Sequence, residues 1–130
     1  MAMKPKDLNE RLIDFAVAII TVADSLPNTR AGNHLAGQMI RSGTSPALNY
    51  GEAQSGESRK DFVHKMQVVL KELRETMNAL KIIIGAKMLK DTLFLEKGLK
   101  ENDELIAIFV TSINTAKRND KDDNNDKDKE

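Results

Sequence analysis

The stretch "FVHKMQVVLKELRETMNALKIII", Phe62 to Ile84, decides the fold. Val63, Met66, Leu70, Leu73, Met77, Leu80 and Ile84 advance in unbroken steps of three and four, which gathers them on one side of an α-helix and would scatter them over both faces of a strand. A second line, Phe62, Val69 and Ile83, runs beside the first, so the apolar stripe is broad. Ser58, three residues before Asp61, offers a cap at the start, and Gly85 with the polar "KMLKD" closes the segment. A helix with so wide a stripe needs partners to cover it.

The flanking sequence supplies three. Upstream, Asp7 and Glu10 form a capping box, after which Leu8, Leu12, Phe15, Ile19, Val22 and Leu26 make a heptad stripe that Pro27 and Asn28 end. Val17, Ala18 and Ile20 lie outside that stripe, which predicts a second buried surface on this helix. A second helix, from about Thr29 to about Gln54, carries Ala36, Met39, Ile40, Gly43, Ala47 and Tyr50 on an arc roughly 100° wide. "SGES", Ser55 to Ser58, is the turn that follows. Downstream, a fourth helix from about Thr92 to about Lys117 uses Leu99, Ile106, Phe109, Ile113 and Ala116, with Leu105 and Ile108 as further apolar positions.

Four amphipathic helices with short connections and no alternating strand pattern predict an all-α fold, an antiparallel up-down-up-down four-helix bundle. The apolar positions on the first, third and fourth helices exceed what one bundle core needs, and they predict a homo-oligomer.

The composition agrees with one domain. The chain has 130 residues, 40% of them hydrophobic, with 4% aromatic residues and no cysteine, which excludes a disulfide framework and a thiolate metal site. The longest apolar run, Phe15 to Ala23, is about half the length of a membrane span and has no cleavage pattern, so a soluble cytoplasmic protein without a membrane partner is expected. Formal net charge is zero but unevenly placed. Residues 119–130, "NDKDDNNDKDKE", hold three Lys against six acids, leaving 17 basic and 14 acidic side chains, net +3, on residues 1–118. With no apolar side chain to offset ordering entropy, 119–130 are expected to be a disordered charged tail on a bundle domain of 1–118.

Catalytic chemistry finds little support. A di-iron bundle needs two Glu-x-x-His pairs, yet of the two histidines only His64 follows an acid, Asp61, by three residues, and His34 follows Ala31. No glycine elbow, phosphate loop or Cys-His pair is present. Glu72 and Glu75 lie one turn apart, as acid-base chemistry would require, but Lys or Arg partners nearby make ion pairing the stronger reading. A non-enzyme without catalytic or metal-binding residues, cofactor or small-molecule substrate is expected.

The physical argument for a partner lies on the third helix. Lys60, His64, Gln67, Lys71, Arg74 and Asn78 occupy one face about 80° wide, Lys81 continues the step, and Glu75 only borders it. Residues 59–100 hold ten basic side chains and five acidic ones. Lys60, His64, Lys71, Arg74 and Lys81 are therefore candidates for contacts to the phosphates of RNA or DNA. Aromatic side chains for stacking on bases are nearly absent from that face. The alternative is a solvated, mildly basic helix, or one paired with acids of a neighbouring subunit.

On the second helix His34, Gln38, Arg41, Ser45, Asn49 and Glu52 form a polar stripe opposite the apolar arc. It reads either as a solvent face or as a working surface. Pro46 lacks an amide donor and frees the Ser42 carbonyl, so polar side chains beside the bend could satisfy loosened backbone groups or bond across a subunit interface. Here "IRSGTSPALNYGEA" followed by "SRKDFVHKMQVVLKELRET" resembles the bacterial four-helix-bundle family of 23S ribosomal RNA intervening-sequence proteins. The residues that carry the likeness are Arg41, Ser45, Asn49, Glu52, Arg59, Lys60, Asp61, Phe62, Glu72 and Glu75. The opening "LNERLIDFAVAI" also resembles the family's first helix, so the likeness spans roughly residues 6–118; family members that have the proline carry it one position later than Pro46. The resemblance implies a ring-shaped homopentamer. It further implies genes within insertions of large-subunit ribosomal RNA genes or elsewhere in bacterial genomes, and a distant branch that works with a reverse transcriptase and nucleic acid. No enzymatic activity is implied. The partners expected are thus copies of the same chain and RNA, DNA or a nucleic-acid enzyme, the alternative being a protein-interaction module with no nucleic acid.

Overall fold

The structure, a computed structural model, describes residues 7–55 and 58–128, and of residue 120 and residues 122–128 the backbone alone. It consists of α1 (Leu8–Ser25), α2 (Arg30–Gln54), α3 (Arg59–Gly85) and α4 (Leu93–Asp128), with no strand among the described residues. All four start where a side chain takes over an orphan amide, at α4 with Asp91 Oδ1 accepting from the Leu93 N–H at 3.1 Å. Asp7 Oδ1 accepts from the Glu10 N–H at 2.7 Å, Thr29 Oγ1 from Gly32 N–H at 3.0 Å, and Ser58 Oγ from Asp61 N–H at 3.1 Å. Those at Asp7 and Ser58 are the caps expected from sequence. Of the turn expected at Ser55 to Ser58, positions 56 and 57 lie outside the described residues, as do 1–6 of the expected domain.

Consecutive helices pack side by side, and α4 returns against α1 through a smaller contact that closes the bundle. The helices run antiparallel. Ser42 meets Thr76 while Glu52 meets Lys65, and Asn102 reaches Leu73 and Met77 while Gly98 faces Leu80. The shared core holds Leu12, Phe15, Ile19 and Val22 of α1, Met39 of α2, Met66, Val69, Leu73, Leu80 and Ile83 of α3, and Leu95, Leu105, Phe109 and Ile113 of α4. The Tyr50 ring meets the Phe109 ring edge-on with centroids 5.8 Å apart, which ties α2 to α4 across that core. At the α1–α2 contact a Cβ on Gly43 would stand 2.5 Å from Ile19 Cγ2, so only glycine lets the two backbones approach this closely.

Three expectations need correction. On α4 the deepest line runs through Leu95, Asn102, Leu105, Phe109 and Ile113, while Leu99 and Ile106 are only half-buried, because a buried amide at position 102 sets the helix rotation. Ile40, placed in the core arc of α2, sits at its edge and is 40% exposed. Finally, α4 does not stop near Lys117 but continues as helix to Asp128, through most of the segment expected to be disordered; its last two positions, 129 and 130, lie outside the described residues. A helix already nucleated by a packed core extends at the low cost of propagation, one hydrogen bond gained per residue fixed.

Candidate nucleic-acid interface

The motif residues of α2 turn onto α3 of the same chain. Arg41 uses its planar fork: Nη1 donates to Glu72 Oε2 at 2.9 Å, and Nη2 donates to Glu75 Oε1 and to Gln38 Oε1, the latter at 3.3 Å. The Arg41 hydrogen bond is the leading cause that holds the Glu75 carboxyl below its ordinary value, with Glu72 and Lys71 acting in the same direction against desolvation. Glu72 is buried, and beneath it Thr76 donates to Ser42 Oγ at 2.8 Å or to the Glu72 carbonyl at 2.9 Å. Glu52 pairs with Lys65 one turn from the other end of the seam.

Ser45 and Asn49 behave differently. Asn49 Nδ2 donates to the Ser45 carbonyl at 3.0 Å and to Ser45 Oγ at 2.8 Å, so its amide is used on its own helix, and at Ser45 rather than at the Ser42 carbonyl that Pro46 frees. His34 stays exposed at the start of α2, apart from this group. The polar stripe is thus neither a plain solvent face nor an open site. It is a clamp along the α2–α3 seam, with Arg41, Glu72 and Glu75 at its centre. Arg59 and Phe62 line a groove of about 870 Å³ at the end of the bundle, together with Ser58, Thr111 and Thr115, where α4 overshoots the start of α3.

A polar residue that periodicity did not single out anchors the opposite seam. Asn102 of α4 is fully buried, and with its amide oriented as its neighbours require, Nδ2 donates to the Leu73 carbonyl and Oδ1 accepts from the Met77 N–H, both at 3.0 Å. Those two backbone groups are the ends of one helical i to i+4 step. Asn102 therefore fixes the sliding register of α4 on α3.

The third helix carries a polar, mostly basic column. Lys60, His64, Gln67, Lys71, Arg74, Asn78 and Lys81 are all exposed and follow one another along its outer, α4-side face. They differ from the cations at the helix seams. Arg11 is held by Glu101 and Glu104, Arg41 by Glu72 and Glu75, and Lys65 by Glu52, whereas among the described residues no carboxylate lies within ion-pair distance of Lys60, Lys71, Arg74 or Lys81. The column spans 22 residues from Lys60 to Lys81, about 31 Å at the helical rise. One contributor was missed: Lys117 of α4 stands beside Lys60, His64 and Gln67. Only the α3–α4 register, set by Asn102, brings it there, and no local pattern announces it.

Among the described residues no three His, Asp or Glu side chains are grouped to hold a metal ion, and no helix is long and apolar enough to cross a membrane. Comparison with curated proteins finds no match. Among solved structures, the chain is similar to a protein of unknown function from the S23 ribosomal protein family of Bacteroides thetaiotaomicron, with 28% identity, a TM-score of 0.75, and coverage of 82% of this chain and 98% of the other. The family model of the 23S rRNA-intervening sequence protein matches residues 7–110, which takes in α1, α2, α3 and the buried half of α4 together with the Arg41 clamp. The chain belongs to the 23S rRNA-intervening sequence protein family.

Proposed function

We propose that the protein is a non-catalytic, self-associating scaffold that holds the phosphate backbone of a nucleic acid along the outer face of α3. The observation that carries this reading is the contrast between cations. Those at the helix seams are paired with carboxylates, whereas among the described residues no carboxylate lies within ion-pair distance of the cations of the α3 column. Such a column attracts a polyanion without reading its sequence, and its length of about 31 Å approaches one turn of duplex, about 34 Å. The absence of aromatic side chains from the column favours backbone contact over base stacking.

Self-association is supported by a separate observation, the exposure of Ile13, Val17 and Ile20 on α1 and of Ile40 and Leu48 on α2. A closed ring, of five copies as the family likeness implies, would cover these faces and repeat the α3 column around its circumference. A ring with a protein partner in place of nucleic acid is the second reading, favoured by the same apolar exposure.

The test is a titration of the protein with structured RNA, single-stranded DNA and duplex DNA at two salt concentrations. Affinity should fall steeply with salt, and the double variant Lys71→Glu, Arg74→Glu should bind at least about tenfold more weakly. Binding left unchanged by the double variant, or none at low salt, overturns the nucleic-acid reading and leaves the protein-partner ring.

A further inference from the structure

At one end of the α3 column the surface is concave. Lys60, Val63, His64 and Gln67 of α3 and Lys117 of α4 line a notch of about 310 Å³, with no acidic side chain in its wall among the described residues. Three basic side chains and a carboxamide therefore converge from two helices on one small volume, whereas along the rest of the column Lys71, Arg74 and Lys81 stand one per turn on an open face. Lys60 is the second residue of α3, so the positive end of a 27-residue helix dipole lies beside the notch and adds to its attraction for an anion. Val63 supplies an apolar floor between the polar groups.

We propose that this notch binds a terminal phosphate monoester of a nucleic-acid strand. The inference rests on the reading of the α3 column as a backbone-binding face and names the chemical group that face takes at its end. A backbone phosphodiester carries one negative charge and is served by one cation per step. A terminal monoester carries between about 1.5 and 2 charges at neutral pH and three strong acceptor oxygens. Lys60, Lys117 and the His64 ring offer donors from three sides, and the Gln67 amide offers a fourth. Position agrees with chemistry, because the notch lies where the column stops: a strand laid along Lys81, Arg74 and Lys71 reaches Lys60 with its end.

The experiment compares oligonucleotides of one sequence that carry a 5′-phosphate, a 3′-phosphate or hydroxyls at both ends, each titrated against the full chain and against Lys117→Gln. A parallel arm follows the His64 imidazole resonances by NMR while inorganic phosphate is added. One of the phosphorylated strands should bind at least about tenfold more tightly than the hydroxyl strand, the gain expected of one added charge-assisted contact. Lys117→Gln should remove that preference, read as the ratio of phosphorylated-strand to hydroxyl-strand affinity, whatever its effect on the hydroxyl strand alone. Equal affinity for all three strands overturns the proposal even if they bind well. If no strand binds but inorganic phosphate shifts His64, and does so less in Lys117→Gln, the notch stands and the α3 backbone reading falls. If phosphate leaves His64 unmoved and no strand discriminates, the notch is ordinary surface.

Discussion

Lys87 has φ of 54°, the only positive value at a non-glycine position among the described residues. It occupies the left-handed residue that ends α3 in a Schellman arrangement: the Met88 N–H donates to the Ile83 carbonyl and the Lys87 N–H to the Ile84 carbonyl, both at 3.1 Å. An L side chain pays roughly 1–2 kcal/mol for that conformation and glycine pays almost none, so Lys87→Gly should stabilise the fold by about 1 kcal/mol despite the freer unfolded chain. Denaturant unfolding checks this through a rise in midpoint at constant slope; a fall would mean that the Lys87 side chain makes up for its strained backbone. Residue-scale legibility was uneven for a physical reason. Asp7 and Ser58 were readable as caps because a cap is a local event, three residues long. Asn102 was not, because the groups that satisfy it belong to the backbone of α3, and nothing within α4 marks an asparagine among apolar steps as buried.

At the scale of elements, the four helices were legible because each carries its own apolar period, and the motif residues of α2 were legible as a stripe but not as a clamp. Whether Arg41 faces water, another subunit or α3 depends on the pairing of α2 with α3, which periodicity does not specify. The clamp has a pH signature. The Glu75 pKa is lowered from 4.5 in the folded chain, chiefly by the Arg41 hydrogen bond, so its contribution to stability is present above the unfolded value and disappears as pH falls through the folded one. Arg41→Gln removes the partner, so the variant should be less stable than the parent near neutrality, and the gap should narrow as pH drops below 4.5. Urea midpoints of both proteins at about pH 7 and about pH 3 measure it. A gap that stays constant over that range would assign the role of Arg41 to packing of its stem, not to its charge.

For the molecule as a whole, the question is what covers α1 and α2. On α1, Ile19 meets Gly43 of α2 and Arg11 turns to α4, which places Ile13, Val17 and Ile20, an arc of about 60°, on the α2 side facing outward. On α2, Ile40 lies about 100° from Arg41, towards the Gly43 side that meets α1, whereas Leu48, seven residues from Arg41, lies within about 20° of it on the outward face. Ile40 and the α1 arc therefore flank the α1–α2 seam, where Val17 is 57% exposed, while Leu48, 68% exposed, stands apart on the outer face of α2. The surplus of apolar positions on α1 was visible in the sequence; the part played by α2 was not, since Ile40 was counted within the core arc. Apolar side chains gathered in this way are most stable against a second copy. Val17→Glu puts a charge into that contact without touching the core, so it should lower the mass found by light scattering at micromolar concentration towards that of a 14.5 kDa chain, with helical circular dichroism unchanged. A parent protein that is already monomeric at that concentration would remove self-association from the proposed function. The column on α3 would then have to hold its polyanion with the cations of one chain alone, and the predicted salt dependence would shrink to the few phosphates that Lys60, Lys71, Arg74 and Lys81 can reach.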